Sequence, residues 1–240
     1  MLIMKRFVVA ILVVCLSFSF LSCNSDEKEV SNDGFMFGID VSHHNGDIDW
    51  ATVKHQQKTK DPIKFVIMRS SAGVDGEDTC YLRNYKDAKE QGFIVGSYHY
   101  YRPNENSTKQ FENFKKALIL EKGDIIPVVD IEVESTVQTM ESLKIGLRKF
   151  ITLCEKEYGV KPIIYTKFSM WRDFLQTDFS DCKLWVAAYT VSRREEPIVQ
   201  NASIHQFTHR IKNIPGIPSK YVDGDDIRDV GSLIYWYILL

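Results

Sequence analysis

The sequence lacks an excess of either charge. Lys and Arg number 30 against 32 Asp and Glu, for a formal net charge of -2. Without a basic field there is nothing to gather phosphates, so no nucleic acid is expected as a partner. Cysteine is scarce, with 5 in 240 residues, and no spacing among them resembles a zinc site. Cys80, Cys154 and Cys182 are the three beyond the N-terminal stretch. That odd number permits at most one disulfide and does not say which. No apolar run reaches the about 20 residues that a spanning helix needs. There is no internal repeat and no break marking a second domain, and 240 residues suit one sizeable domain better than two.

What is present begins with an export signal. Lys5 and Arg6 precede a largely apolar stretch at 7–21, followed by Ser22 and Cys23. A charged start, a short apolar run and a small residue before the cut match a secretory signal. Phe20-Leu21-Ser22-Cys23 resembles a loose bacterial lipobox, which would make Cys23 the lipid-bearing first residue of the mature chain. The expected organisation is a lipoprotein signal peptide at 1–22, a flexible polar tether at 23–34 and a single catalytic domain at 35–240. The expected location is the cell envelope, as a membrane-anchored lipoprotein (outer membrane or cell surface) or a secreted protein.

From residue 35 apolar runs alternate with helical periodicity. Strands are predicted at 35–42, 64–69, 93–101, 125–133 and 162–168, and helices at 48–59, 81–91, 107–120 and 140–158. Leu143, Leu147, Phe150, Cys154 and Tyr158 recur at helical spacing in the last of these, and Gly159 ends it. After the fifth strand the rhythm changes, and strands at 183–189, 203–208 and 221–227 follow without long helices between them. The predicted fold is α/β, a modified TIM-like barrel of about five β/α units followed by three strands with few helices. Eight strands close such a barrel. The apolar stretch at 234–240 is too short to span a membrane and is expected to dock on the body.

Acids cluster at strand ends. Asp40 lies late on the first strand. Asp130 and Glu132 lie two apart on the fourth, so both face the same way. If Val129 and Ile131 pack outward, both acids point into the barrel, where a carboxylate without a partner or a role is costly. Asp223 reads as another late-strand acid. A closed barrel sets Asp40 and Asp223 on one side of the mouth and Asp130 and Glu132 on the other, at the end where barrel active sites lie. Like-charge repulsion among four acids would raise their proton affinity, as a general acid requires. Asp49, Asp75, Glu77 and Asp225 read as solvated surface charges. His99 alternates with Tyr98 and reads as outward packing, and His43 and His44 as loop residues near the mouth. Four carboxylates are also a competing hard-cation site, although no metal or other cofactor is expected.

These residues carry a family resemblance. Gly-Ile-Asp-Val-Ser from Gly38, Asn-Gly-Asp-Ile-Asp-Trp from Asn45, Gly-Ser-Tyr-His-Tyr from Gly96, Pro-Val-Val-Asp-Ile-Glu from Pro127, Pro-Ile-Ile-Tyr-Thr from Pro162, Leu-Trp-Val-Ala-Ala-Tyr from Leu184 and Val-Asp-Gly from Val222 occur in order. Together they make residues 37–229 resemble glycoside hydrolase family 25 lysozymes, the Chalaropsis type. The resemblance implies cleavage of the β-1,4 bond between N-acetylmuramic acid and N-acetylglucosamine. It implies Glu132 as the acid that protonates the leaving oxygen and Asp130 as the group that orients the substrate's acetamido arm. Asp40 would support that pair and Asp223 would complete the acidic floor. Assistance by the acetamido group is favoured over direct water attack, and spacing alone does not decide between them. Tyr98, Tyr165, Trp185 and Tyr189 match aromatic positions lining the groove, with Gln206 beside them as a further substrate-binding position.

Two departures stand out. Ala72 occupies a place where many relatives carry an acid, and His205 precedes Gln206 where a Trp is usual. Both are expected near the groove, where they would alter subsite preference. Peptidoglycan glycan strands are the expected partner, with the membrane reached through the Cys23 anchor and the protein a monomer. The competing functions are a non-catalytic peptidoglycan-binding lipoprotein, an enzyme acting on chitin and a metal-dependent hydrolase.

Overall fold

A computed structural model describes residues 34–57, 59–194 and 202–235. The signal peptide, Cys23 and nearly all of the tether lie outside the described residues. Nine strands form one sheet: β1 (Met36–Val41), β2 (Phe65–Ala72), β3 (Gly76–Glu77), β4 (Ile94–Tyr100), β5 (Val128–Asp130), β6 (Ile163–Lys167), β7 (Leu184–Ala187), β8 (Ala202–Lys212) and β9 (Tyr221–Ile227). Leaving aside the two-residue β3, the order is β1-β9-β8-β7-β6-β5-β4-β2, and β1 pairs with β2 to close an eight-stranded barrel. β1 to β8 run parallel around it, while β9 is antiparallel to both of its neighbours. The predicted barrel is therefore present. Its eight main strands fall where the alternation of apolar runs puts them.

The helices α1 (Trp50–His55), α2 (Tyr81–Glu90), α3 (Ser107–Ala117) and α4 (Met140–Tyr158) cover the first half of the barrel. On α4 Leu143, Leu147, Phe150, Ile151, Cys154 and Tyr158 are all buried. Each such side chain contributes about 1.5–3 kcal/mol on removal from water, which holds the helix to the sheet. Thr139 caps its start by accepting from the Ser142 amide, and Gly159 ends it in the left-handed conformation, φ 71°, where glycine carries no Cβ penalty. After β6 the chain still makes a short helical stretch, Phe168–Met170, Trp171–Leu175 and Gln176–Phe179, with Met170, Trp171, Leu175 and Phe179 buried. Aromatic and Met residues obscured its period in the sequence.

Among the described residues no long helix covers the outside of β8 and β9. Arg193 lies with its guanidinium 4.6 Å from the ring centres of both Phe37 and Phe207. It pairs with buried Asp226 at 2.6 Å and with Asp61 at 2.5 Å. Ile234 and Tyr235 are buried at the base of the barrel, where Ile234 bridges to Ile125. The start of the C-terminal stretch therefore docks as expected, and its continuation at 236–240 lies outside the described residues. Cys80, Cys154 and Cys182 are free thiols.

Candidate active site

On β5 and just past its end, Val129 and Ile131 are fully buried in the core beneath the helices. Alternation along the strand then turns Asp130 and Glu132 inward. Across the barrel, Asp40 on β1 is the direct register partner of Asp223 on β9. Asp223 is the third residue of its strand, not a late one. It reaches the mouth because β9 runs against the other strands, so its N-terminal end is the end at the mouth. A cleft of about 80 Å³ is lined by Asp40, Tyr98, Asp130, Glu132, Tyr165, Trp185 and Asp223. The four acids and three of the aromatics proposed from sequence thus meet in one place. A larger hollow of about 370 Å³, floored by Phe37, Ile63, Phe207 and Ile214, lies on the flank and contains none of these acids.

The remaining two candidates tie the cleft together without lining it. Gln206 donates its amide N–H to Asp40 Oδ2 at 2.7 Å. Its carbonyl oxygen accepts from Tyr165 at 2.9 Å and from Tyr189 at 2.6 Å. Tyr189 is 47% exposed at the rim, whereas Trp185 is fully buried and donates its indole N–H to Asp225 at 2.8 Å. That bond revises the reading of Asp225. It was expected as a surface charge, yet it is completely buried inside the barrel. The signal was available in the sequence, because Asp225 follows Asp223 by two, the same spacing that links Asp130 to Glu132. Asp49, Asp75 and Glu77 do behave as exposed or capping charges: Asp49 caps α1 and the others lie at the surface.

Burial dominates the electrostatics. It pushes the Asp130 carboxyl well above its ordinary range, and the charges of Glu132 and Asp40 add to this while Arg69 and Lys167 oppose it. Asp40 is raised first by burial and then by Asp223, with the Gln206 N–H pulling the other way. Asp223 rises to about 6, again chiefly through burial, with His209 acting to lower it and Glu132 to raise it. Repulsion among the acids is thus the secondary cause, not the leading one expected from sequence. Burial ranks first because the neutral form alone escapes the cost of leaving water. Glu132 sits at the outer edge, its side chain 26% exposed and 3.6 Å from the Lys167 ammonium.

His99 points outward, as its parity requires, bonding Ser71 at 2.9 Å and stacking on Phe150. His43 follows β1 at the mouth and shares Asp78 with Arg69. His205 also points outward, its ring nitrogen 2.9 Å from the Ala188 carbonyl oxygen, so the expectation that it borders the groove is not met. β-Strand parity sends Gln206 in and its neighbour out. Among the described residues no group of three His, Cys, Asp or Glu is arranged to hold a metal ion.

The fold has known counterparts. The chain is 28% identical to an autolytic lysozyme of Clostridium acetobutylicum over 158 residues, which is 66% of this chain and 46% of that protein. It spans about half the length of the curated relatives it matches. In shape it superimposes on a bacterial lysozyme from Streptomyces coelicolor with a TM-score of 0.71 and 24% identity, covering 82% of this chain and 94% of that one. A family 25 glycosyl hydrolase from Bacillus anthracis gives a TM-score of 0.70 at 24% identity, covering 81% and 89%. The sequence profile described as glycosyl hydrolases family 25 matches residues 39–217, most of the length, and the chain belongs to that family.

Proposed function

We propose that this chain is a peptidoglycan N-acetylmuramidase, a lysozyme that hydrolyses the β-1,4 bond between N-acetylmuramic acid and N-acetylglucosamine. The observation that carries it is the facing pair of pairs, Asp130 with Glu132 and Asp40 with Asp223, around one cleft. Family membership and the lysozyme relatives support the same reaction. Glu132, at the accessible edge, is suited to deliver a proton to the leaving oxygen as the glycosidic C–O bond breaks. Water then supplies a hydroxyl to the anomeric carbon and a proton that restores the acid.

Asp130 suits a different task. Its Oδ1 is buried and accepts no hydrogen bond among the described residues. A buried acceptor in that state costs about 1–3 kcal/mol, and an acetamido N–H of the substrate would satisfy it. The same contact would stabilise positive charge on that nitrogen if the acetamido oxygen attacks the anomeric carbon, which favours substrate assistance. Tyr98 and the exposed ring of Tyr189 offer flat faces for sugar rings. Peptidoglycan glycan strands are the partner in this reading, with no cofactor and with the protein acting as a monomer. The N-terminal sequence supports a lipid anchor on Cys23 and an envelope location; a mature chain starting elsewhere than at a lipidated Cys23, by mass spectrometry, would overturn that part.

The decisive experiment measures reducing sugar released from purified peptidoglycan by wild type and by Glu132→Gln. A loss of about 10²–10⁴-fold, with wild-type products ending in reducing N-acetylmuramic acid, supports bond and acid together. An inert wild type that still binds peptidoglycan would instead support a non-catalytic binding protein.

A further inference from the structure

Asp225 belongs to none of the roles above, yet it is the most deeply buried acid of the barrel, with no exposed surface. One of its oxygens accepts from the Trp185 indole at 2.8 Å. The other, Oδ2, is buried and accepts no hydrogen bond from any donor among the described residues. Asp225 is the register partner of Gln206 on β8, whose amide holds Asp40. It lies two residues along β9 from Asp223, the register partner of Asp40, so the Asp40 carboxyl is its acidic neighbour on that wall. Two neighbouring buried carboxyl groups with no other donor between them can share a hydrogen bond only if one of them carries a proton. Asp40 already accepts a proton from Gln206 on its Oδ2, whereas Asp225 Oδ2 has no such donor. The economical placement puts the shared proton on Asp225 and points it at Asp40.

We propose that Asp225 is a protonated carboxylic acid and a positioning residue, which donates its hydroxyl to the Asp40 carboxylate and fixes it opposite Asp223. This rests on the lysozyme reading for its catalytic consequence but not for the protonation itself. The ionisable groups acting on Asp225 are Asp40 on β1 and Asp223 on its own strand, both acids, and the Trp185 N–H on β7 is the opposing influence. Burial raises its proton affinity first, Asp40 next. Asp40 then has donors from two sides, Gln206 on β8 and Asp225 on β9. With the proton on Asp225, the mouth holds one negative charge fewer than its acids suggest. Trp185, for its part, serves the floor of the cleft: its indole holds one oxygen of Asp225 and leaves the other free.

Asp225→Asn tests this, because an amide keeps a donor for Asp40 and an acceptor for Trp185 while losing the acid. Infrared spectra of the purified protein at pH 7 should contain a protonated-carboxyl C=O stretch that Asp225→Asn removes. Against peptidoglycan, Asp225→Ala should lose about 10-fold or more in kcat with KM little changed, and Asp225→Asn should recover most of that loss. A band unaffected by Asp225→Asn, or an Asn variant as impaired as the Ala variant, overturns the proposal. If wild type proves inert while the band disappears in Asp225→Asn, the lysozyme reading fails and the protonated Asp225 stands.

Discussion

Asp40 and Asp223 face each other as register partners on antiparallel neighbours, β1 and β9, with Asp225 beneath them. Holding three acids on one wall of a barrel makes the fold sensitive to pH in a definite direction. Asp223 has a folded value of about 6 against an ordinary value of 3.8, and Asp40, Asp130 and Asp225 shift the same way. At these acids the native state therefore binds more protons than the unfolded chain, and their contribution to stability falls as pH rises. The Asp223 contribution is fully present below about pH 4 and lost as pH passes through about 6. Two groups act in the opposite sense. Burial lowers His99 to about 4, so that its contribution is lost as pH falls from about 6.5 through about 4. Asp181 is held down by Arg148 and Lys161, and its contribution is lost only as pH drops below the ordinary carboxylate range.

The expected outcome is a melting-temperature gap between Asp223→Asn and wild type that opens as pH rises from about 4 to about 8. Asp223→Asn should raise Tm at pH 8 and change it little at pH 4. Thermal unfolding across that range checks both. A gap that stays the same across that range would contradict the assignment.

Arg193 provides a second test, far from the cleft. Its partner Asp226 has a side chain only 1% exposed, so removing the cation strands a buried charge. Breaking a buried pair costs about 3–5 kcal/mol. Arg194 also reaches Asp226, at 3.4 Å, so Arg193→Met is expected near the lower end, about 3 kcal/mol in urea denaturation. Adding Asp226→Asn should return part of the loss, because the stranded charge is gone. Equal instability of the single and double variants would show that the arginine acts through its contacts with Phe37 and Phe207 instead.

Gly38 provides a local one. A Cβ at that position would lie 2.5 Å from atoms of the Phe65 ring, and both residues sit in the β1–β2 register. Overpacking of this kind costs about 1–3 kcal/mol. Gly38→Ala should therefore lower stability by that much, and Gly38→Ala with Phe65→Leu should be milder than the single variant.

These sites also show what a sequence makes legible. The eight main strands and four helices could be read because their apolar residues recur at periods of two and 3.6. Asp130 and Glu132 stood out because acids are foreign to a Val/Ile strand. Asp225 did not, since it sits in a charged stretch with Asp223, Asp226, Arg228 and Asp229 that resembles a solvated edge. Strand parity counted from Asp223 would have placed it inside. The reversed direction of β9 is not written in its residues at all; it follows from the hairpin with β8. The Arg193–Asp226 contact spans distant positions and has no local pattern to betray it.

Gln206 carries the most discriminating prediction for catalysis. Its amide is used at both ends: the N–H supports Asp40, and the carbonyl oxygen collects the Tyr165 and Tyr189 hydroxyls. A hydrogen bond to a charged group contributes about 1.5–3 kcal/mol, which corresponds to roughly 10–100-fold in rate at 1.36 kcal/mol per decade. Gln206→Leu, losing both ends, should reduce kcat by that factor in peptidoglycan hydrolysis. Gln206→Glu keeps the acceptor for the tyrosines but, when ionised, presents a negative charge to Asp40 where a donor stood. It should be at least as impaired as Leu at pH 7. Below about pH 5, where a glutamic acid can again donate a proton, it should recover relative to Leu. Parallel pH profiles for the two variants would mean that the N–H to Asp40 is not what Gln206 contributes.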